Sequence, residues 1–235
     1  MLVRCHTPGG VPASDIRADR LARLAAARLY LVCDHTPGGR ELSELLPAAI
    51  AGGVDIVQLR EKTMDDEELL GVAGRARALC EQLGALFVLN DRPLVARDAG
   101  ADGVHVGQDD MPAREARRLL RPGMILGVST HDEDQARAAV ADAADYVAVG
   151  SIFPTTSRAG FQLVGTDLIR RVRPAVPIPL VAIGGITADN AAEVIRAGAD
   201  SVAVISAICA QRDPESATRA LLERLRSAER PRPAA

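Results

Sequence analysis

Short, almost wholly apolar runs alternate along this chain with longer stretches in which apolar positions recur every three or four residues. Eight short runs stand out: 29–33 (LYLVC), 55–60 (DIVQLR), 86–89 (LFVL), 102–106 (DGVHV), 124–128 (MILGV), 145–149 (DYVAV), 179–183 (PLVAI) and 201–205 (SVAVI). Their brevity and β-branched content predict parallel strands buried on both faces. The periodic stretches predict helices over 41–51, 65–83, 93–98, 112–120, 132–142, 166–173, 189–197 and 214–227, one after each strand. Eight βα units in 235 residues predict an α/β fold, the (β/α)8 TIM barrel. The runner-up, an open doubly wound sheet, more often shows a GxGxxG turn after its first strand. The turn here is "CDHTPGGR", which has none.

Four segments echo one another: "AGGVDIVQL", "AGADGVHVG", "ADAADYVAVG" and "AGADSVAVIS". Each reads as a helix end, a small-residue turn, an aspartate (Asp55, Asp102, Asp145, Asp200) and a strand, and they fall on every second strand. Outside the 29–227 barrel, residues 1–28 read as an N-terminal extension. Within it, 1–14 is a flexible lead and 15–28 a short helix over the barrel bottom. Residues 228–235 read as a disordered tail.

Composition narrows the function. Net charge is −3, so no basic excess draws nucleic acid. There is no Trp, and two Tyr and three Phe offer few stacking platforms. Cys5, Cys33, Cys80 and Cys209 are scattered, without a CxxC pair, and read as reduced thiols. No run has signal-peptide or membrane-span length. A cytoplasmic protein acting on small molecules is expected, without a nucleic-acid or membrane partner; the sequence leaves a homo-oligomer open.

A barrel of this kind builds its site at the C-terminal ends of its strands. Those ends are polar or glycine almost throughout. In "VQLREK", alternation puts Gln58, Arg60 and Lys62 on one face, aimed at the mouth, with Val57 and Leu59 toward the helices. Two inward cations suit an anionic ligand; the alternative is pairing with Glu61 and nearby aspartates. Asp91 and Asp110 follow adjacent strands, and two carboxylates beside cations suit Mg2+ with substrate phosphates. The alternative is that each caps the following helix. Gly184-Gly185 and Ser206 fall in the two loops that usually cradle phosphate. His105 reads as a satisfied interior group, and His131 as a neighbour of a helix cap. No nucleophile has a base beside it. The set suits transfer chemistry in which pyrophosphate leaves and the protein stabilises charge.

"QLREK", "NDR", "GVHVGQDD", "GVSTH", "GSIFPTTSR", "AIGGIT" and "VISAI", in this order at the strand ends, resemble the thiamine-phosphate synthase (thiamine-phosphate pyrophosphorylase) family. The resemblance runs from about Leu29 to Leu225. It implies a Mg2+-dependent transferase that joins 4-amino-2-methyl-5-hydroxymethylpyrimidine diphosphate to 4-methyl-5-hydroxyethylthiazole phosphate, or its carboxylated form. The products are thiamine phosphate and pyrophosphate, with CO2 from the carboxylated form. It also implies a dissociative mechanism through a pyrimidine methylene cation. Carried over, Gln58, Leu59, Arg60, Glu61, Lys62 and Asn90 would bind the pyrimidine diphosphate, with Ser129 and Arg158. Thr155, Thr156, Ser157, Gly185, Ile205 and Ser206 would bind the thiazole phosphate, and Asp91 and Asp110 the Mg2+. Arg60, Lys62, Ser129 and Arg158 would carry the chemistry. The chain departs from the family at Ser151, usually Pro, and in Thr155-Thr156-Ser157-Arg158, where the family has Thr-x-Thr-Lys. The competing readings are a thiazole tautomerase-like isomerase, with His131 as its histidine, and a non-catalytic phosphate-binding barrel.

Overall fold

The computed structural model of the protein describes residues 12–155 and 162–228. Thr156, Ser157 and Arg158, most of the lead before residue 12 and the tail beyond residue 228 lie outside the described residues. Eight parallel strands close into a barrel in sequence order. They are β1 (Leu29–Cys33), β2 (Ile56–Leu59), β3 (Leu86–Asn90), β4 (Gly103–Val106), β5 (Ile125–Thr130), β6 (Tyr146–Val149), β7 (Leu180–Ile183) and β8 (Ser201–Val204). Helix α1 (Ala13–Ala26) precedes them. Around them run α2 (Leu42–Gly52), α3 (Asp66–Leu83), α4 (Pro93–Asp98), α5 (Ala113–Leu119), α6 (Glu133–Ala141), α7 (Gly165–Val172), α8 (Ala191–Arg196), the single turn α9 (Ser206–Cys209) and α10 (Pro214–Ser227). Each predicted strand and helix is present, with ends moved by one or two residues.

The strand alternation sorts the apolar residues into two layers. Outward positions such as Val57, Leu59, Phe87, Leu89, Val104 and Val147 pack under the helices. Inward positions, including Tyr30, Val32, Ile56, Leu86, Val88, Ile125, Tyr146 and Ala148, fill the barrel. Leu21, Leu24 and Ala27 join this inner cluster from α1 and its end, so α1 is the floor of the barrel.

The four repeated aspartates explain their own spacing. Asp55 accepts from the amides of Arg28 and Leu29, Asp102 from Phe87 N, Asp145 from Leu126 N and Asp200 from Leu180 N. Each thus satisfies the otherwise unpaired amide at the start of the preceding odd-numbered strand. Arginines bond to three of the four aspartates as well. Arg20 reaches Asp102 at 2.8 Å, Arg17 and Arg117 clamp Asp145 at 2.5 Å each, and Arg173 reaches Asp200 at 2.7 Å. Two of these arginines come from α1, so the floor helix is tied to the strands by charge as well as apolar contact.

Gly127 sits at an inward position of β5, and a Cβ there would lie 2.0 Å from Cζ of Tyr146. The missing side chain is the space the tyrosine ring occupies. Overpacking of this kind costs about 3 kcal/mol in a rigid interior. Gly127→Ala is therefore expected to lower the urea midpoint by the equivalent of about 3 kcal/mol, whereas an alanine at exposed Gly39, which meets backbone strain but no collision, should shift it less.

Candidate active site

The site opens at the C-terminal ends of the strands as three cavities that share walls. The central one descends into the barrel. Gln58, Arg60, Asn90, His105, Ser129 and Tyr146 line it on one side, with Val181, Ile183 and Ile205 opposite. A second lies over Arg60, Lys62, Asp110, Ser129 and His131. A third lies over Thr155, Gly184, Gly185, Thr187, Ile205 and Ser206. Arg60, Ser129, His131 and Ser151 border both the central and the second cavity. Thr155, Ile183, Gly184 and Ile205 border both the central and the third.

Alternation along β2 decides which of its residues reach the mouth. Gln58 points inward and is buried, and Arg60, two residues on, lines the rim. Leu59 is fully buried in the outer layer, so its side chain does not enter the cavity. Glu61 is also turned away. Its Oε1 accepts from His35 N at 2.7 Å and meets His35 Nδ1 at 2.6 Å, which fastens the β1 loop to the β2 loop. Of the six residues expected around the pyrimidine diphosphate on β2 and β3, these two act on neighbouring backbone and core.

Lys62 lies between Asp91 and Asp110, bonded to Oδ2 of the first and 3.2 Å from Oδ1 of the second. It is the only lysine in the chain; every other basic side chain among the 28 Lys and Arg is arginine. A compact ammonium fits between two carboxylates where a planar guanidinium would splay them. Neither aspartate caps a helix: the cap positions of α4 and α5 are Arg92 and Pro112. Asp110 instead accepts from Gly107 N at 2.8 Å. Asp91 is held at φ 56, and its Oδ1 is buried with no hydrogen-bond partner. Burial, then the neighbouring Asp110, push the Asp91 carboxyl up to about 6, against the pull of Lys62.

An orphaned carboxylate oxygen beside a second carboxylate, with a cation already drawn between them, fits a hard divalent ion such as Mg2+. Two protein carboxylates with the remaining positions left to ligand oxygens and water is the usual way that ion is held.

On the opposite wall, the backbone after β6 is strapped to the loop after β7. Ile152 N donates to Ile183 O at 3.0 Å and Phe153 N to Gly184 O at 2.9 Å. Gly184 and Gly185 have φ values of 106 and 64. This brings Thr155 against the glycine turn and across from exposed Ser206 at the start of α9.

The cavity floor contains groups that the sequence did not single out. Both tyrosines of the chain, Tyr30 and Tyr146, point inward there, 2.8 Å apart at their hydroxyls. Gln58 donates to Tyr30, Tyr146 meets His105 Nδ1, and His105 Nε2 meets Ser129 Oγ. Burial pushes His105 down to about 4, so it is neutral at physiological pH. The available signal was register: Tyr30 and Tyr146 occupy inward positions of strands otherwise filled by aliphatic residues. His131 Nδ1 lies 2.6 Å from Gly150 O, which can only accept, so its proton is on Nδ1.

A closed eight-fold barrel with a deep polar-floored cavity, a carboxylate–cation rim and a glycine-lined turn defines a (β/α)8 enzyme for phosphorylated small molecules. The family model described as thiamine monophosphate synthase matches residues 29–208, and the chain belongs to that family. A thiamine-phosphate synthase of Methanoculleus marisnigri is 47% identical over 203 residues, covering 85% of this chain and 96% of that one. One of Thermosynechococcus vestitus is 46% identical over 210 residues, covering 89% of this chain, which spans only 59% of that longer relative. The solved thiamine phosphate pyrophosphorylase of Pyrococcus furiosus superposes with a TM-score of 0.79 at 35% identity, covering 88% of this chain and 98% of that one. Among the described residues, no helix is long and apolar enough to cross a membrane.

Proposed function

We propose that this barrel is a transferase that catalyses the thiamine-phosphate synthase reaction. It joins 4-amino-2-methyl-5-hydroxymethylpyrimidine diphosphate to 4-methyl-5-hydroxyethylthiazole phosphate, or its carboxylated form, and releases pyrophosphate. The observation that carries this reading is the shared walls of the three cavities. A flat ring in the central cavity can extend a diphosphate over Arg60 and Lys62 on one side. A second ring can approach from the other side with its phosphate on Gly185, Ile205 and Ser206, beside Thr155.

The residues divide the work. Gln58 and Ser129 hold the pyrimidine edge, and Asn90 packs at the rim beside it. Arg60 and Lys62 stabilise the charge that grows on the diphosphate as its C–O bond breaks. Asp91 and Asp110 would hold Mg2+, which supplies further charge neutralisation on the leaving diphosphate. Arg158, Thr156 and Ser157 belong to the same phosphate contacts by their resemblance to the family motif. The aliphatic wall of Val181 and Ile183 keeps water from a pyrimidine cation until the thiazole nitrogen captures it. The cavity does hold one hydroxyl–imidazole pair, Ser129 Oγ 2.8 Å from His105 Nε2, contrary to the sequence reading, but a dissociative reaction needs no nucleophile and the pair serves the pocket floor.

The test mixes both substrates with and without Mg2+ and measures pyrophosphate and thiamine phosphate together. Mg2+-dependent formation of both is expected. Thiazole isomerisation without pyrophosphate would instead favour the isomerase reading. Binding of both phosphates without turnover would leave a binding barrel.

A further inference from the structure

Five side chains cross the floor of the central cavity in one unbroken line of hydrogen bonds. Gln58 Nε2 donates to Tyr30 Oη at 2.8 Å, Tyr30 meets Tyr146 at 2.8 Å, and Tyr146 meets His105 Nδ1 at 2.9 Å. His105 Nε2 then meets Ser129 Oγ at 2.8 Å. Gln58, Tyr30, Tyr146 and His105 are all at least nine-tenths buried. Each hydroxyl has one hydrogen to give, and a neutral imidazole has one donor and one acceptor nitrogen. Only two orders therefore satisfy every member of the line. With Gln58 donating, Tyr30 donates to Tyr146, Tyr146 to Nδ1, and Nε2–H to Ser129, whose own hydrogen is left for the cavity. In the reverse order, Ser129 donates to Nε2, Nδ1–H to Tyr146, Tyr146 to Tyr30, and Tyr30 to Gln58 Oε1.

We propose that this relay sets the donor–acceptor order of the pyrimidine pocket and so selects a 4-aminopyrimidine over a 4-oxopyrimidine, with Tyr30, Tyr146 and His105 as positioning residues. The proposal rests on the pyrimidine substrate class given under Proposed function. In the order that starts from Gln58 donation, Tyr30 takes one amide hydrogen of Gln58. The other N–H and Oε1 stay side by side, matching a ring nitrogen acceptor next to an amino donor, as an amide side chain matches adenine. Reversal turns the amide over and exchanges the two positions, which matches a ring N–H beside an oxo group. Turning the amide alone would set acceptor against acceptor or donor against donor at Tyr30. The wrong base thus requires all five groups to reorder or leaves buried polar atoms unpaired.

Two measurements test this. Nitrogen-15 NMR of the imidazole reads the tautomer of His105 directly. The Nε2–H form is expected in the wild type, and the Nδ1–H form in Gln58→Glu at pH 8, where a carboxylate only accepts. Dissociation constants for the aminopyrimidine diphosphate and its 4-oxo counterpart read selectivity, expected at about 100-fold or more in the wild type and within about tenfold in Tyr30→Phe. The Michaelis constant for thiazole phosphate should not move in Tyr30→Phe. An Nδ1–H tautomer in the wild type, no tautomer change in Gln58→Glu, or unchanged selectivity in a folded Tyr30→Phe would each overturn the proposal. Should Tyr30→Phe fail to fold, the tautomer response decides. Selective aminopyrimidine binding without product formation would sink the synthase reading and leave the relay standing.

Discussion

Asp91→Asn should lower turnover by about 1,000-fold or more, equivalent to about 4 kcal/mol of transition-state stabilisation, while the protein stays folded. The substitution keeps the shape of the side chain and removes the charge that would hold Mg2+. It also suits the backbone: φ at this position is 56, a region that Asn tolerates well. The fold gives up little, because Asp91 Oδ1 has no partner and its carboxyl is raised to about 6 by burial and by Asp110.

The pH dependence follows from that direction. An acid whose pKa rises on folding contributes stability that is fully present below its unfolded value of about 3.9 and is lost as pH rises through the folded value near 6. Metal-free wild type should therefore gain thermal stability relative to Asp91→Asn as pH falls from 7 toward 4. Mg2+ binding runs the opposite way, since it needs the carboxylate; apparent affinity should fall by about tenfold per pH unit below 6. Melting curves of the two proteins across this range, with and without Mg2+, check both signs. The single lysine adds a direct readout. With lysine labelled by nitrogen-15, the one side-chain ammonium signal should shift on addition of Mg2+ in the wild type and stay put in Asp91→Asn. A wild-type rate in Asp91→Asn would refute the metal assignment.

The barrel was legible because its determinants are local. Runs of four or five apolar residues, one per βα unit, specify strands buried on both faces, and alternation then fixes what points inward. That is why Gln58 and Arg60 reach the mouth as the sequence suggests, and why Val57 lies under the helices. The same rule argued against Leu59, whose odd position sends its side chain into the outer layer. Glu61 could not be read this way, because its role depends on where His35 lies across the next loop. The strand-leading aspartates were visible as a pattern. Their function was not, since each bonds to the strand before it in sequence, and Asp102 and Asp145 bond also to arginines of the distant α1. The tyrosine floor escaped notice for a related reason. Two tyrosines 116 positions apart mean little until barrel closure sets their hydroxyls 2.8 Å from each other.

Gly185→Ala should damage one half of the site and spare the other. At φ 64 an alanine pays the left-handed penalty of about 1–2 kcal/mol. Its Cβ would also lie 2.4 Å from Pro154 O and 2.8 Å from Phe153 Cβ, so the loops after β6 and β7 must part. They are held by the bonds from Ile152 N and Phe153 N, and Thr155 follows directly on that strap. Parting them widens the third cavity, whose walls are Thr155, Gly184, Thr187 and Ser206, and reaches the second, over Lys62 and Asp110, only at its Ser151 edge. The Michaelis constant for thiazole phosphate should rise by about 30-fold, equivalent to about 2 kcal/mol, with that for the pyrimidine diphosphate nearly unchanged. The melting temperature should fall by about 4–8 °C. Gly39→Ala separates strain from collision. Gly39 has φ 79, but nothing lies within 4 Å of the Cβ position, so it should cost stability through backbone strain without moving either Michaelis constant. Equal increases for both substrates in Gly185→Ala would mean that the glycine supports the barrel mouth as a whole. No increase for thiazole phosphate would remove the turn from the phosphate site.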